Sequence, residues 1–288
     1  MQKSKLPVSI VIPVYNEQNY LPTCLEAIAR QTVKPFEVIV VDNNSTDDTR
    51  VVAEQFSFVK VIRESRQGVV YARDHGFNAA RGEIIGRIDA DTILSPDWVA
   101  TVEQVFADPR VDAASGQLHY RDVGLKAAFD AIDWSIRRYL AQRMGNLGEQ
   151  FLYGGNMAIR ASAWRSVRGQ VCHERRYHED LDLAIHLDKL ERRVKFAPAM
   201  SASIAPRQAG ASLATFWNYA WSNHHVYAEH RMRSSRFIYR AVLVVLVLYL
   251  PMRLMYRGYD HELGRFSLTY FFKAAPPTRI SPLAEPAL

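Results

Sequence analysis

Ile84-Ile85-Gly86-Arg87-Ile88-Asp89-Ala90-Asp91-Thr92 is an apolar run that ends in two carboxylates separated by one small residue. On an extended chain residues i and i+2 point the same way, so a strand ending here aims Asp89 and Asp91 into one crevice. Two carboxylates that close repel each other. An oxygen-preferring divalent ion relieves the repulsion, and such ions are commonly held by one or two carboxylates together with phosphate oxygens. Asp-x-Asp also ends ordinary strands and turns, so the motif takes its meaning from the chain around it.

Upstream, strand and helix patterns alternate. Residues 8–12 form a short β-branched run stopped by Pro13, and residues 21–30 have helical spacing with Leu21, Leu25 and Ile28 on one side. Residues 36–41 read as a second strand ending in Asp42-Asn43-Asn44-Ser45-Thr46-Asp47-Asp48-Thr49, where Ser45 or Thr46 is expected to cap a helix running through Gln55. A third strand is expected at 59–62 and a helix at 69–80, with Arg81-Gly82 as its stop before the strand into Asp89. Apolar strands separated by helices of this length imply a parallel sheet covered on both faces. Ligands bind such sheets at the carboxyl ends of the strands. Three of those ends carry acidic or polar groups here: 15–17, 42–44 and 89–91.

No Gly-x-Gly-x-x-Gly follows the first strand and no Gly-Lys-Ser/Thr loop is present, which removes the dinucleotide fingerprint and the phosphate-loop motif. A site with acidic strand ends must then hold a diphosphate through a metal, with a cation such as Arg73 assisting. Asp42 can accept from a base N–H or cap the next helix, and Glu17 can accept from a ribose hydroxyl. Lys and Arg number 36 against 30 Asp and Glu, a net charge of +6 that suits anionic partners. The basic residues follow no nucleic-acid-binding signature, so no nucleic-acid partner is expected. Cys24 and Cys172 stand alone, and two unpatterned cysteines make neither a disulfide framework nor a zinc site, which points to a reducing, cytoplasmic compartment. The basic start runs straight into a strand, and no cleavable signal peptide is expected.

Pro13-Val14-Tyr15-Asn16-Glu17, the Val40-Val41-Asp42-Asn43-Asn44-Ser45-Thr46-Asp47-Asp48-Thr49 stretch, the segment from Gly68 to Gly76 containing Ala72-Arg73, and Asp89-Ala90-Asp91 resemble, in order and spacing, the family 2 glycosyltransferases. The resemblance covers residues 7–110 and then thins to two islands before about residue 190. It implies a GT-A fold: a Rossmann-like, mainly parallel α/β sheet flanked by helices. It also implies a nucleotide-diphosphate sugar donor, with a UDP-sugar the first expectation, a divalent cation (Mn2+ or Mg2+), and inversion at the anomeric carbon. Carried over residue by residue, Asp42, with Asn44 beside it, would contact the base, while Glu17 and the backbone near Pro13 and Tyr15 would contact the nucleoside. Arg73 would reach the base or phosphate edge. Asp89 would face the ribose and metal, Asp91 would ligate the metal directly, and Ala90 between them would count among the donor-binding residues.

The rest of the chain should supply an acceptor and a base. Ser95-Pro96-Asp97-Trp98 opens a helix, with Ser95 as the expected N-cap and proline at the first position. A strand is expected at 113–120. Leu125, Phe129, Ile132, Ile136, Tyr139 and Leu140 recur at helical intervals beside Arg137, Arg138 and Arg143, as in a helix packed on the sheet or one lining an acceptor groove. Gly154-Gly155-Asn156 precedes a short strand, and its glycines permit the close backbone approach that a donor sugar beside a metal requires. In His178-Glu179-Asp180-Leu181-Asp182-Leu183 a helix begins, with Glu179 and Asp180 near the positive end of its dipole. A fixed carboxylate can take the proton of an attacking hydroxyl. By resemblance to the family's Glu-Asp pair, Asp180 is the base and Glu179 binds or orients the acceptor. His224-His225, in a helix with Trp217, Tyr219, Trp221 and Tyr227, read as packing groups or as acceptor-site residues. Processive members of the resembled family carry Gln-x-x-Arg-Trp after the base. Only Pro206-Arg207-Gln208 stands in that place, which argues for single-sugar transfer and leaves Arg207 as a candidate phosphate contact.

Residues 241–252 carry no charge, and this stretch falls short of the roughly 20 residues needed to span a bilayer. Arg231, Arg233, Arg236, Arg240, Arg253 and Arg257 flank it. Residues 231–257 are therefore expected to lie on a membrane surface as a peripheral contact, or to pack as a core or dimerising helix. The expected organisation is a GT-A domain at 1–210, a helical extension at 211–273 and a disordered tail at 274–288. The combined reading is an inverting, metal-dependent, non-processive glycosyltransferase. It would act at the inner face of the cytoplasmic membrane on a lipid-linked or cell-envelope glycan acceptor. Two alternatives stay open: a sugar-phosphate nucleotidyltransferase, whose Gly-rich basic signature after the first strand is missing, and a noncatalytic nucleotide-sugar-binding module.

Overall fold

The computed structural model describes residues 6–121, 152–174, 178–205 and 213–231, with shorter pieces at 130–131, 135, 207, 247, 253–254, 256–260 and 265–267. The chain begins with three strand-helix units: β1 (Val8–Val14), α1 (Leu21–Ala29), β2 (Glu37–Asp42), α2 (Thr49–Glu54), β3 (Val59–Arg63) and α3 (Val69–Ala79). Next come β4 (Ile84–Arg87), the two-residue β5 (Ile93–Leu94), α4 (Trp98–Phe106) and β6 (Ala113–Tyr120). The second half supplies β7 (Met157–Arg160), α5 (Ala161–Val167), α6 (Glu179–Lys189), β8 (Val194–Ile204) and α7 (Leu213–Glu229). A separate antiparallel pair is formed by β9 (Tyr259–Asp260) and β10 (Arg265–Phe266).

Among the described residues the main sheet has eight strands in the order β3-β2-β1-β4-β7-β6-β8-β5. Strands β3, β2, β1 and β4 are parallel, as are β6 and β8, while β7 enters antiparallel between β4 and β6 and β5 pairs antiparallel with β8. The mixed, mainly parallel α/β sheet expected from the sequence is therefore present. Its core follows from the alternation of side chains along a strand. Ile10, Ile12, Val14, Val38 and Val40 face one side, with Leu25, Ile28, Trp98 and Phe106 of α1 and α4 packed over them. Val11, Ile39 and Val41 face the other side, under Phe77, Trp164, Leu183 and Leu187 of α3, α5 and α6. Gly86 shows how tightly the first layer is built. A Cβ there would lie 2.6 Å from the Trp98 ring, so the strand carries a hydrogen where the indole crosses it.

Four local expectations change. The strand expected to run into Asp89 ends at Arg87, and the Thr92 N–H donates to the Asp89 carbonyl at 3.0 Å, so a turn rather than extended alternation carries the two aspartates. Pro13 does not stop β1. It sits inside the strand beyond Val11, the last β1 residue in register with β4, where a missing N–H costs no ladder bond on that side. Helix α2 starts at Thr49 rather than after Ser45 or Thr46, because the hydroxyl of Ser45 accepts from the Asn16 N–H and the preceding loop is tied to β1 instead. Helix α4 starts at Trp98, with Asp97 rather than Ser95 at the N-cap position; the Ser95 carbonyl accepts from the Trp98 N–H in a preceding turn.

The expected helix across 125–140 lies outside the described residues except at Asp130, Ala131 and Ser135, where the backbone is helical. The apolar stretch 241–252 lies outside them except at Val247, and the tail at 274–288 lies outside them entirely. No helix among the described residues is long and apolar enough to cross a membrane.

Candidate active site

The carboxyl ends of β1, β2 and β4 converge. Asn16 and Asn44 adopt left-handed backbone angles (φ 54° and 64°), which a short amide side chain tolerates, and both turn their loops back on one another. Asn16 Oδ1 accepts from the Thr46 N–H at 2.8 Å, and the Asn16 N–H donates to Ser45 Oγ at 3.1 Å. Asp42 is buried, and its Oδ1 accepts from the Ser45 N–H, three residues on, at 3.0 Å. Asn44 Nδ2 donates to the Ser65 carbonyl at 2.8 Å. Asn43, which the sequence reading left without a role, does more. Its amide donates to the carbonyls of Glu64 and Arg66 and accepts from the Gly68 N–H at 2.7 Å, fixing the turn into α3.

Beyond β4 stand the two aspartates, and arginines distribute them. Arg87 is 3% exposed, and its Nη2 lies 3.0 Å from Asp89 Oδ1 and 3.0 Å from Glu179 Oε1. One guanidinium therefore joins the end of β4 to the first residue of α6. Arg207 lies 2.7 Å from Glu17 Oε2, 3.6 Å from Asp91 Oδ2, and 4.3 Å above the Tyr20 ring. Arg121 donates to the Asp91 carbonyl at 3.1 Å. Gly154 packs directly on Arg87, for a Cβ there would fall 1.1 Å from Nη1. Its N–H donates to Asp180 Oδ2 at 3.1 Å, and Asp180 Oδ1 accepts from the Leu181 N–H at 2.8 Å. A Cβ on Gly155 would stand 3.4 Å from Asp89 Oδ2. Asp89, Asp91, Glu17, Gly154, Gly155, Glu179 and Asp180 thus form one cluster, linked through Arg87 and Arg207.

Two candidates are placed differently. Arg73 was expected at a base or phosphate edge. It is 1% exposed, pairs with Asp74 Oδ1 at 2.7 Å, and donates to the Glu179 carbonyl at 2.6 Å, so it secures the start of α6 from beneath. Asn156 was expected beside a sugar. It is fully buried, donates to the carbonyls of Gln117 and Met200, and accepts from Trp98 Nε1 at 2.8 Å, locking β7 to β6, β8 and α4.

The charges of the cluster reach their neighbours. Burial first, then the charges of Asp91 and Asp89, push the Cys24 thiol far up, so it stays protonated. Burial first, then the charge of Asp180, likewise push the Tyr227 phenol up. Arg87 could have been found in the sequence, as the single charge inside a run of buried isoleucines. Arg207 was singled out only by its place after the expected base and Tyr227 only by its helix; their positions beside Glu17 and Asp180 come from tertiary structure.

The donor set fits a hard divalent cation. Asp89 and Asp91 present carboxylate oxygens one residue apart, carboxylates outnumber the nearby arginines, and Arg207 approaches Asp91 only at a coulombic 3.6 Å rather than as a hydrogen bond.

An open mixed sheet flanked by helices, with paired aspartates beyond its fourth strand, defines the GT-A class. The mannosyltransferase PcManGT of Pyrobaculum calidifontis, solved with GDP-Man and Mn2+, superposes with a TM-score of 0.62 at 20% identity, covering 94% of this chain and 79% of that one. Residues 1–349 of S. aureus TarS, solved with UDP, give 0.52 at 16% identity over 77% and 65% of the two chains. The family described as Glycosyl transferase family 2 matches residues 9–168, more than half of the sequence, and the chain belongs to that family. EpsH of Bacillus subtilis strain 168 is 39% identical over 105 residues, which are 35% of this chain and 30% of EpsH, so the similarity spans about a third of that relative.

Proposed function

We propose that the chain is an inverting, metal-dependent, non-processive glycosyltransferase. It takes one sugar from a nucleotide-diphosphate sugar, a UDP-sugar first among the candidates, and passes it to a glycan or lipid-linked acceptor. The observation that carries the reading is the pair of links Asp89–Arg87–Glu179 and Gly154 N–H to Asp180, which tie the aspartate pair to a second carboxylate centre. Asp42 and Asn44 line the nucleoside side, with Glu17 and the backbone at Pro13 and Tyr15. Asp89 and Asp91 would hold Mn2+ or Mg2+, which supplies Lewis-acid charge to the departing diphosphate when bound. Gly154 and Gly155 leave room for the donor sugar. Asp180, fixed at the positive end of α6, takes the proton of the acceptor hydroxyl as its oxygen attacks the anomeric carbon. The bond from that carbon to the diphosphate breaks on the opposite face, and configuration inverts. Glu179, held by Arg87, orients the acceptor. Arg207 keeps a positive charge beside the leaving phosphates, and the missing Gln-x-x-Arg-Trp favours one transfer per encounter. The nucleotide ligands of PcManGT and TarS support a nucleotide donor. The basic stretch 231–257 supports peripheral contact with the inner face of the cytoplasmic membrane and a cell-envelope acceptor.

A panel of UDP-, GDP- and dTDP-sugars with Mn2+ or Mg2+, assayed for donor hydrolysis and transfer, tests this reading. Asp91→Ala is expected to abolish use of every donor, and Asp180→Ala to spare nucleotide binding while lowering transfer at least about 100-fold. Equal activity in both variants overturns the mechanism. Release of free pyrophosphate from a sugar phosphate and a nucleoside triphosphate would instead identify a nucleotidyltransferase.

A further inference from the structure

A second cluster of ligating side chains is built on α6 just beyond Glu179 and Asp180. Asp182 and His186, one turn apart, share a helix face. Against that face the segment after α5 brings Cys172, and the end of α7 brings His230. One ligand atom from each of the four lies within 4.8 Å of all the others. His230 Nε2 stands 2.8 Å from Asp182 Oδ1, His186 Nε2 stands 3.5 Å from the same oxygen, and the Cys172 N–H donates to Asp182 Oδ2 at 2.9 Å. The rings of His186 and His230 meet edge to face, with centroids 4.9 Å apart.

Two features distinguish this from an ordinary buried ion pair. Asp182 is 0% exposed, so its carboxylate stands among imidazoles and a thiol rather than in water. His186 is 7% exposed, and neither of its ring nitrogens has a hydrogen-bond partner. A buried imidazole without a hydrogen bond is costly, and its Nε2 makes only the 3.5 Å approach to Asp182 Oδ1, inside the four-residue cluster.

We propose that Cys172, Asp182, His186 and His230 form a structural Zn2+ site. One thiolate, two imidazoles and one carboxylate are the tetrahedral donor set of zinc, and four protein ligands leave no open position for chemistry. The site differs from the aspartate pair in its ligands, its metal class and its place on α6. The two cysteines, unpatterned in sequence, gave no hint of it, because the ligands come from three separate segments. Binding expels the Cys172 thiol proton to solvent and shifts the His230 ring proton from Nε2 to Nδ1. Lys189, whose ammonium now contacts Nδ1 at 2.7 Å, turns out into the solvent it already faces. The consequence is mechanical: the ion pins the end of α7 and the segment at 171–174 to the helix that begins with Glu179 and Asp180.

The test uses the full-length chain, stripped with a chelator and reloaded with Zn2+ or Co2+ alone. The expected result is one tightly held zinc per chain after gel filtration. The cobalt form should show tetrahedral visible bands and a thiolate-to-cobalt charge-transfer band in the near ultraviolet. Cys172→Ser should remove the charge-transfer band, and His186→Ala should weaken zinc binding by more than the about 10–100-fold that loss of an outer-shell partner costs. Asp91→Asn should leave both signals intact, which separates this site from the donor site. A wild-type chain that retains no zinc, or a cobalt spectrum that is octahedral or unchanged in Cys172→Ser, overturns the proposal. Because the cobalt spectrum of the wild type decides by itself, misfolding of a variant does not leave the question open.

Discussion

Gly154 carries more of the site than its size suggests. Its missing side chain is what allows Arg87 to lie across the sheet end and touch both Asp89 and Glu179, since a Cβ would sit inside the guanidinium. Gly154→Ala must therefore displace Arg87. The expected outcome is a loss of stability of about 1–3 kcal/mol from overpacking, seen in urea denaturation. Transfer activity should fall more steeply than that loss explains, because Asp89 and Glu179 are left to repel each other. Wild-type transfer in a folded Gly154→Ala chain would show that the bridge is not needed. At this scale the sequence was partly legible. Asp89, Asp91, Glu179 and Asp180 announce themselves by type and spacing, and the structure brings them together. Arg73 and Asn156 mislead, because sequence does not say which side of a strand end or helix a polar residue faces, and both turn inward.

Helix α6 is the element on which the chemistry turns. Its first residues, Glu179 and Asp180, are linked to Arg87 and Gly154 of the acidic cluster, so the placement of the helix sets their position. Arg73 fixes that placement by donating to the Glu179 carbonyl, with Asp74 on the same guanidinium and His173 Nε2 2.9 Å from Asp74 Oδ2. Arg73→Met removes the cation and strands Asp74 in the interior. Breaking a buried pair in this way costs about 3–5 kcal/mol. Chemical denaturation should register a loss of that size, with kcat falling and nucleotide affinity little changed. A loss under about 1 kcal/mol would mean that α6 is held by its apolar face alone. Element types were the most legible level, since the strands and helices from β1 to β6 answer to a hydrophobic period, apart from the two-residue β5, which was not expected. Starts were less so. Helices α2 and α4 begin later than their Ser and Thr residues suggested: the Ser45 hydroxyl is taken by the Asn16 N–H, and Ser95 enters a preceding turn through its carbonyl.

At the scale of the molecule, two stretches of chain make one site. Residues 6–121 build the parallel half with its nucleoside side and aspartate pair, and residues 152–207 return antiparallel through β7 to deliver Gly154, Glu179, Asp180 and Arg207. The order β3-β2-β1-β4-β7 is what sets the second carboxylate centre beside the first. That juxtaposition could not be read from spacing, because β7 inserts between strands distant in sequence. The sequence resemblance supplied the expectation, and the packing of Gly154 on Arg87 supplies its physical basis. In the proposed mechanism Asp89 and Asp91 clamp a divalent ion against a nucleotide's phosphates while Asp180 serves only the acceptor. Nucleotide-dependent Mn2+ binding, read by electron paramagnetic resonance on wild type, Asp91→Asn and Asp180→Asn in the presence of UDP or GDP, tests it most directly. The nucleotide-dependent bound-Mn2+ signal is expected to be lost in Asp91→Asn and retained in Asp180→Asn; its survival in Asp91→Asn, or its loss in both, would overturn that mechanism.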